Sequence, residues 1–191
     1  MNPFKLTNAR QEAAGISGVA YVPGFTEEED CVNEAWQKEA LDAAACADAV
    51  VIFAGLPEIF ESESYDRPDM RLPFCQNQLI EAVCAVQKNV VVVLCAGSAV
   101  EMPWAGRVSS ILQMHTGGQG TGTAAVDLLY GRKNPCGKLA ETYPVRLQDV
   151  PSYLNYPGDG KTVHYQEGIF VGYRYYDVKD MDCLLYTSDA A

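Results

Sequence analysis

Val50-Val51-Ile52-Phe53-Ala54 and Val90-Val91-Val92-Val93-Leu94 are two runs of apolar residues with no polar interruption. A strand with one wet face alternates polar and apolar side chains. An unbroken apolar run reads instead as a strand buried on both faces, the habit of parallel sheets. Between the two runs, Phe74 to Val86 carries Leu79, Ile80, Val83 and Val86 at helical spacing. Strand, helix and strand in that order form a βαβ unit. Ser109 to Met114 reads as a third strand, and a helix follows from about Gly120 to Tyr130, closed by Gly131. The rhythm specifies an α/β fold: a three-layer α/β/α sandwich around a mostly parallel sheet.

Outward from this centre the signals are more local. Pro3 to Ala14 reads as a short helix, and Val19 to Val22 as a short strand ended by Pro23-Gly24. Thr26-x-x-Glu29 has the form of a capping box, opening a helix that runs to about Ala47 and places Trp36 inward. Trp104 also reads as core. After Pro135 the rhythm stops. Lys138 to Pro144 and Phe170 to Tyr176 read as extended, on either side of a Pro/Gly/Tyr loop from Pro151 to Gly160.

A chain of 191 residues suits one domain. Its 14 basic against 25 acidic residues leave a net charge of −11, which disfavours nucleic acid and anionic membrane surfaces as partners. The apolar run Val90 to Ala96 is far shorter than the ~20 residues of a membrane span. Seven cysteines show no two-residue spacing of a metal or redox site. That pattern suits a reducing compartment, so a cytoplasmic location is expected. His115 and His164 have no second ligand at metal-binding spacing, and neither a metal nor an organic cofactor is expected.

Chemistry concentrates in one loop. Phe60-Glu61-Ser62-Glu63-Ser64-Tyr65-Asp66-Arg67 places three carboxylates and an arginine in eight residues. The loop leaves the carboxyl end of the strand at 50–54, on the edge where open parallel sheets bind ligands. Cys95-Ala96-Gly97-Ser98 and His115-Thr116-Gly117-Gly118 leave the same edge. A charge cluster of this kind, taken alone, is more often a solvated loop than a catalytic one. The Gly117 to Thr123 loop also precedes a helix, as phosphate-binding loops do, but lacks the Walker lysine and the dinucleotide spacing. Close packing is its expected role, and a nucleotide-binding α/β module remains an alternative. The tyrosines from Tyr165 to Tyr176 read as a strand packing on a partner domain, ahead of a sugar-stacking platform.

Four stretches together resemble the second, α/β-sandwich domain of family 3 glycoside hydrolases of the β-glucosidase type. They are Phe53 to Arg67; Gly97-Ser98-Ala99-Val100-Glu101-Met102-Pro103-Trp104; Gly117 through Asn134-Pro135-Cys136-Gly137-Lys138-Leu139-Ala140-Glu141-Thr142; and Tyr165 to Asp177. The resemblance implies a retaining β-glucosidase acting on a β-glycoside or oligosaccharide. It implies that Glu63 is the acid/base, with Glu61 as its rival, and that Asp66 and Arg67 shape the loop by pairing with each other or with loop amides. The nucleophile would be an aspartate on a barrel domain in cis, outside this chain. Retaining chemistry sets the two carboxyl groups ~5–5.5 Å apart, and the acid must hold its proton near neutrality. Ser64 stands where the family has glycine, and Cys136 where it has serine. A non-catalytic carbohydrate-binding domain of the same fold is a further alternative.

The resemblance covers residues 1–182 and implies that the domain's first strand precedes Met1. The last stretch, Cys183 to Ala191, resembles the translation of a sequencing adapter, so a non-native tail at 183–191 is expected. The chain alone, lacking the barrel, is expected to be inactive.

Overall fold

The structure is a computed structural model, and it describes residues 6–185. The start of the helix expected at Pro3 to Ala14 and most of the expected non-native tail lie outside the described residues. The chain divides into two compact units. One lies within Met1–Asp66, Leu72–Ser98 and Pro103–Pro135; the other within Arg67–Arg71, Ala99–Met102 and Cys136–Ala191.

The first unit holds the sheet. Strands β1 (Val50–Gly55), β2 (Val90–Cys95) and β3 (Ser110–Gln113) lie in the order β1-β2-β3 and are parallel throughout. Val50 pairs with Val90 and Gly55 with Cys95, so the two apolar runs are in full register. Helices α1 (Ala9–Ala13), α2 (Glu34–Cys46), α3 (Phe74–Val86) and α4 (Thr121–Leu129) complete an α/β sandwich. β2 is the central strand: Val90, Val92, Val93 and Leu94 are all inaccessible to solvent.

The expectation that β1 is buried on both faces is corrected. Ile52 and Ala54 are buried, but Val51 is 42 % and Phe53 39 % exposed. Val51 and Phe53 alternate onto one face of β1, and that face meets water. An apolar run reports composition; which face is covered depends on neighbours that the run does not encode.

The helix starts also differ from expectation. α1 begins at Ala9, with the Asn8 side chain accepting the Gln11 N–H at 2.8 Å. No strand forms at Val19 to Val22, where Val19 and Tyr21 are exposed and no neighbouring strand offers a ladder. The Thr26 to Glu29 capping box is likewise absent: the Thr26 hydroxyl donates to the Glu29 carbonyl instead of accepting an amide. α2 starts at Glu34, capped by Asn33, whose side chain accepts the Trp36 N–H at 3.1 Å. Asn is the stronger cap, and it displaced the earlier candidate. α3 spans the residues that the spacing predicts, but Pro73 at its start offers no side-chain acceptor. Asp30 supplies one from 45 positions away, accepting the Cys75 N–H at 2.8 Å. Trp104 is fully buried and donates its indole N–H to Asn77 Oδ1, while Trp36 is only half-buried.

The second unit has little regular structure. Among the described residues its one α-helix, α5 (Tyr173–Lys179), overturns the extended reading of Phe170 to Tyr176. The aromatic content resembles a strand, yet Gly172 at φ 59° turns the chain and the helix then buries Tyr176. Among the described residues, Lys138 to Pro144 forms no strand; Lys138 and Tyr143 are isolated bridge residues, Tyr143 pairing antiparallel with Leu185.

Candidate functional site

The acidic loop starts from a fixed point. At Gly55, the end of β1, the Gln76 side chain accepts the backbone N–H and donates to the backbone C=O, both at 2.9 Å. Gln76 is 1 % exposed, so a buried amide is fully satisfied and α3 is pinned to the strand end. A Cβ at residue 55 would overlap the Cys95 carbonyl, which only glycine avoids. Burial at the end of β2 pushes the Cys95 thiol up from its ordinary value. Leu56 N–H then donates to the same carbonyl at 3.1 Å, and the N–H groups of Phe60 and Glu61 both donate to Pro57 O. That tight turn delivers Glu61.

Glu61 and Glu63 have different surroundings. Glu61 Oε2 accepts the Gly97 N–H at 2.8 Å and Oε1 accepts the Ser98 hydroxyl at 2.9 Å. Its carboxylate lies over Gly97, where an added Cβ would sit 3.2 Å from both oxygens. The loops leaving β1 and β2 are thereby joined at the carboxyl edge of the sheet. Glu63 is exposed, and among the described residues neither it nor any neighbour from Ser62 to Asp66 makes a hydrogen bond or ion pair. Ser64 takes φ 65°, the left-handed region that favours glycine. The Ser64 departure noted in the sequence therefore falls where glycine's freedom is used.

At β3, Gln113 donates through Nε2 to Ala96 O at 2.9 Å and lies 3.2 Å from His115 Nδ1, with His115 itself at φ 50°. Gln76 and Gln113 had no place in the motif reading. The signal for both was a polar residue at an inward position of an apolar element. In the second unit, Arg67 donates through Nη2 to Ala99 O at 2.9 Å, and Ala99 N–H donates to Glu141 Oε1 at 2.9 Å. Asp66 is exposed.

The glycine-rich loop at 117–123 is occupied by its own chain. Thr7 donates to Gln119 O through both its N–H and its hydroxyl, and that hydroxyl accepts the Thr123 N–H at 3.3 Å. A Cβ at Gly122 would overlap the Asn8 backbone. These glycines let the segment before α1 approach α4, and the Thr123 amide at the start of that helix is already taken by Thr7. The nucleotide-binding alternative is not favoured. Among the described residues, no group of three His, Cys, Asp or Glu side chains is placed to hold a metal ion, and no helix is long and apolar enough to cross a membrane.

Residues 4–173 match the model of the glycosyl hydrolase family 3 C-terminal domain. The thermostable beta-glucosidase B of Acetivibrio thermocellus is 48 % identical over 188 residues, which is 96 % of this chain and 25 % of that protein. An exo-alpha-(1->6)-L-arabinopyranosidase of Bifidobacterium breve is 44 % identical over 188 residues, with the same 96 % and 25 % coverage. The crystal structure of a Bifidobacterium adolescentis GH3 beta-glucosidase superposes with a TM-score of 0.93 at 41 % identity, over 99 % of this chain and 28 % of that one. The chain thus spans about a quarter of the length of the relatives it matches. The acidic loop at the carboxyl edge, the register of its sheet and these likenesses agree: the chain belongs to the glycosyl hydrolase family 3 C-terminal domain.

Proposed function

We propose that this chain is the acid/base-bearing part of a retaining β-glucosidase, with Glu63 as the acid/base. One observation carries the choice of residue. Of the two loop glutamates, Glu61 has both carboxylate oxygens engaged at Gly97 and Ser98, and Glu63 has neither. A group that must give a proton to a leaving oxygen, and then take one from water, needs its carboxyl end free for substrate. The nucleophile is a carboxylate of the longer protein, outside residues 1–191. The relatives' length supports this, and the chain alone is then inactive. Arg67 holds its place through Ala99 O, whereas Asp66 is exposed and makes neither the expected pair with Arg67 nor a bond to a loop amide among the described residues. The substrate is a small glycoside, with the named activities of the two relatives as the candidates for the sugar. The stretch 183–191 remains the proposed non-native tail, and cysteines with no metal or redox spacing support a reducing, cytoplasmic setting.

The test uses the intact enzyme. Glu63→Ala slows cleavage of alkyl glycosides by about 10²–10⁴-fold, the usual worth of general acid catalysis. Activated aryl glycosides still form the covalent intermediate, which accumulates for want of a base, and azide restores turnover as a β-glycosyl azide. Wild-type rates in Glu63→Ala on alkyl glycosides would sink the assignment.

A further inference from the structure

We infer that Glu61 is a positioning residue, which fixes the loop two residues before Glu63 by tying it to Gly97 and Ser98. The inference rests on the reading of Glu63 given above and goes beyond it. Three observations within the first unit carry it. The Glu61 carboxylate accepts one backbone and one side-chain hydrogen bond, at 2.8 and 2.9 Å, from consecutive residues of the next loop. Bonds to an ionised carboxylate are about twice as strong as neutral ones and fix direction as well as distance. Upstream, the chain is held without a gap of more than a few residues, at Gly55, Leu56, Phe60 and Glu61. Downstream, Ser62 to Asp66 have no hydrogen bond among the described residues. Glu61 is therefore the last fixed point before Glu63, and the side chain of residue 61 sets where residue 63 begins its reach.

The chemistry of the two partners separates a positioning role from a proton-transfer role. Gly97 N–H is a donor only, whereas the Ser98 hydroxyl can donate or accept. A glutamine at 61 can accept from Gly97 and donate to Ser98, keeping both bonds. It can never transfer a proton as a carboxylic acid does. For a positioning residue, Glu61→Gln preserves function and Glu61→Ala does not. For an acid/base, the two fail alike.

The experiment measures kcat/KM, which reports formation of the covalent intermediate, and kcat, in which azide rescue of its breakdown is read, for the intact enzyme with an alkyl glycoside and a dinitrophenyl glycoside, with and without azide, together with Tm. Misplacing a catalytic group by ~1 Å costs on the order of 10²-fold. Glu61→Ala is expected to lose about that on the alkyl glycoside, which needs the proton, and little on the dinitrophenyl glycoside. Azide has no effect, because Glu63 is still present. Glu61→Gln recovers most of the loss. Ser98→Ala, which keeps Glu61 and removes one bond, loses about tenfold with the same leaving-group dependence, the worth of one charge-assisted bond. That variant carries the test if Glu61→Ala does not fold.

Equal losses on both substrates with a lowered Tm would make Glu61 a folding residue and overturn the inference. Wild-type behaviour of Glu61→Ala would overturn it as well. Glu63→Ala, run alongside, separates the two readings. If only the inference fails, Glu63→Ala still shows azide rescue. If Glu61→Gln falls as far as Glu61→Ala and azide rescues both, Glu61 is the acid/base and the reading of Glu63 fails with the inference.

Discussion

Glu61 and Glu63 are the same residue type, two positions apart in one polar loop, and nothing local distinguishes them. What does is a pair of bonds to residues 36 and 37 positions away. The motif resemblance pointed to Glu63 by position, and the contacts supply a physical reason to prefer it. Ser64 was legible in part: its departure from glycine could be read, but its φ of 65° could not. A left-handed non-glycine residue costs roughly 1–2 kcal/mol, while glycine's extra freedom in the unfolded chain costs about 0.4–1 kcal/mol. Ser64→Gly is therefore expected to be neutral or stabilising by up to about 1 kcal/mol. Ser64→Val, branched at Cβ, is expected to be destabilising. Denaturant melts of the two variants check the sign, and a marked loss in Ser64→Gly would count against the strained geometry.

The elements divide into those fixed by their own composition and those fixed by partners. β2 and α3 were legible because a long apolar period leaves few alternatives. The start of α2 was not, because two capping candidates competed and only packing chose Asn33. α5 was misread because aromatic residues suit strands and helices alike once one of them is buried. Gln76 is where two elements depend on one side chain. Gln76→Leu keeps the volume but leaves the N–H and C=O of the half-buried Gly55 without their side-chain partner, against a leucine at a position that is itself buried. Each orphaned group costs ~1–3 kcal/mol. The expected loss is about 2–4 kcal/mol in urea unfolding, against under about 1 kcal/mol for a polar substitution at the exposed Gln148. Equal effects at the two sites would show that the strand-end clamp contributes nothing.

At the scale of the molecule, the parallel sheet and its helices followed from the order of apolar runs, and the family from motifs spread along the chain. Exposure did not follow, because a sequence does not say what else covers it. Leu154, Tyr165 and Ile169 are 89 %, 82 % and 77 % exposed in the second unit, and Val51 and Phe53 are open in the first. So many large apolar side chains in water favour association. The chain expressed alone is expected to sediment as oligomers or to precipitate at micromolar concentration, and Tyr165→Ser with Ile169→Ser is expected to shift it toward monomer. A wild-type chain that sediments as a sharp monomer peak would refute this.

The bare stretch from Ser62 to Asp66 has an entropic consequence. Holding a residue in one backbone conformation costs ~1–2 kcal/mol, so immobilising these five requires roughly 5–10 kcal/mol from contacts outside the stretch itself. If neighbouring parts of a longer protein supply those contacts, the acid is set before substrate arrives, and binding energy is free to act on the glycosidic bond. If the substrate supplies them, part of its affinity goes into ordering the loop, and a ligand with fewer groups is both bound and turned over less well. Which of the two holds is decided outside the loop, so the strength of Glu63 as the proposed acid would be set by the chain around it and not by the loop alone.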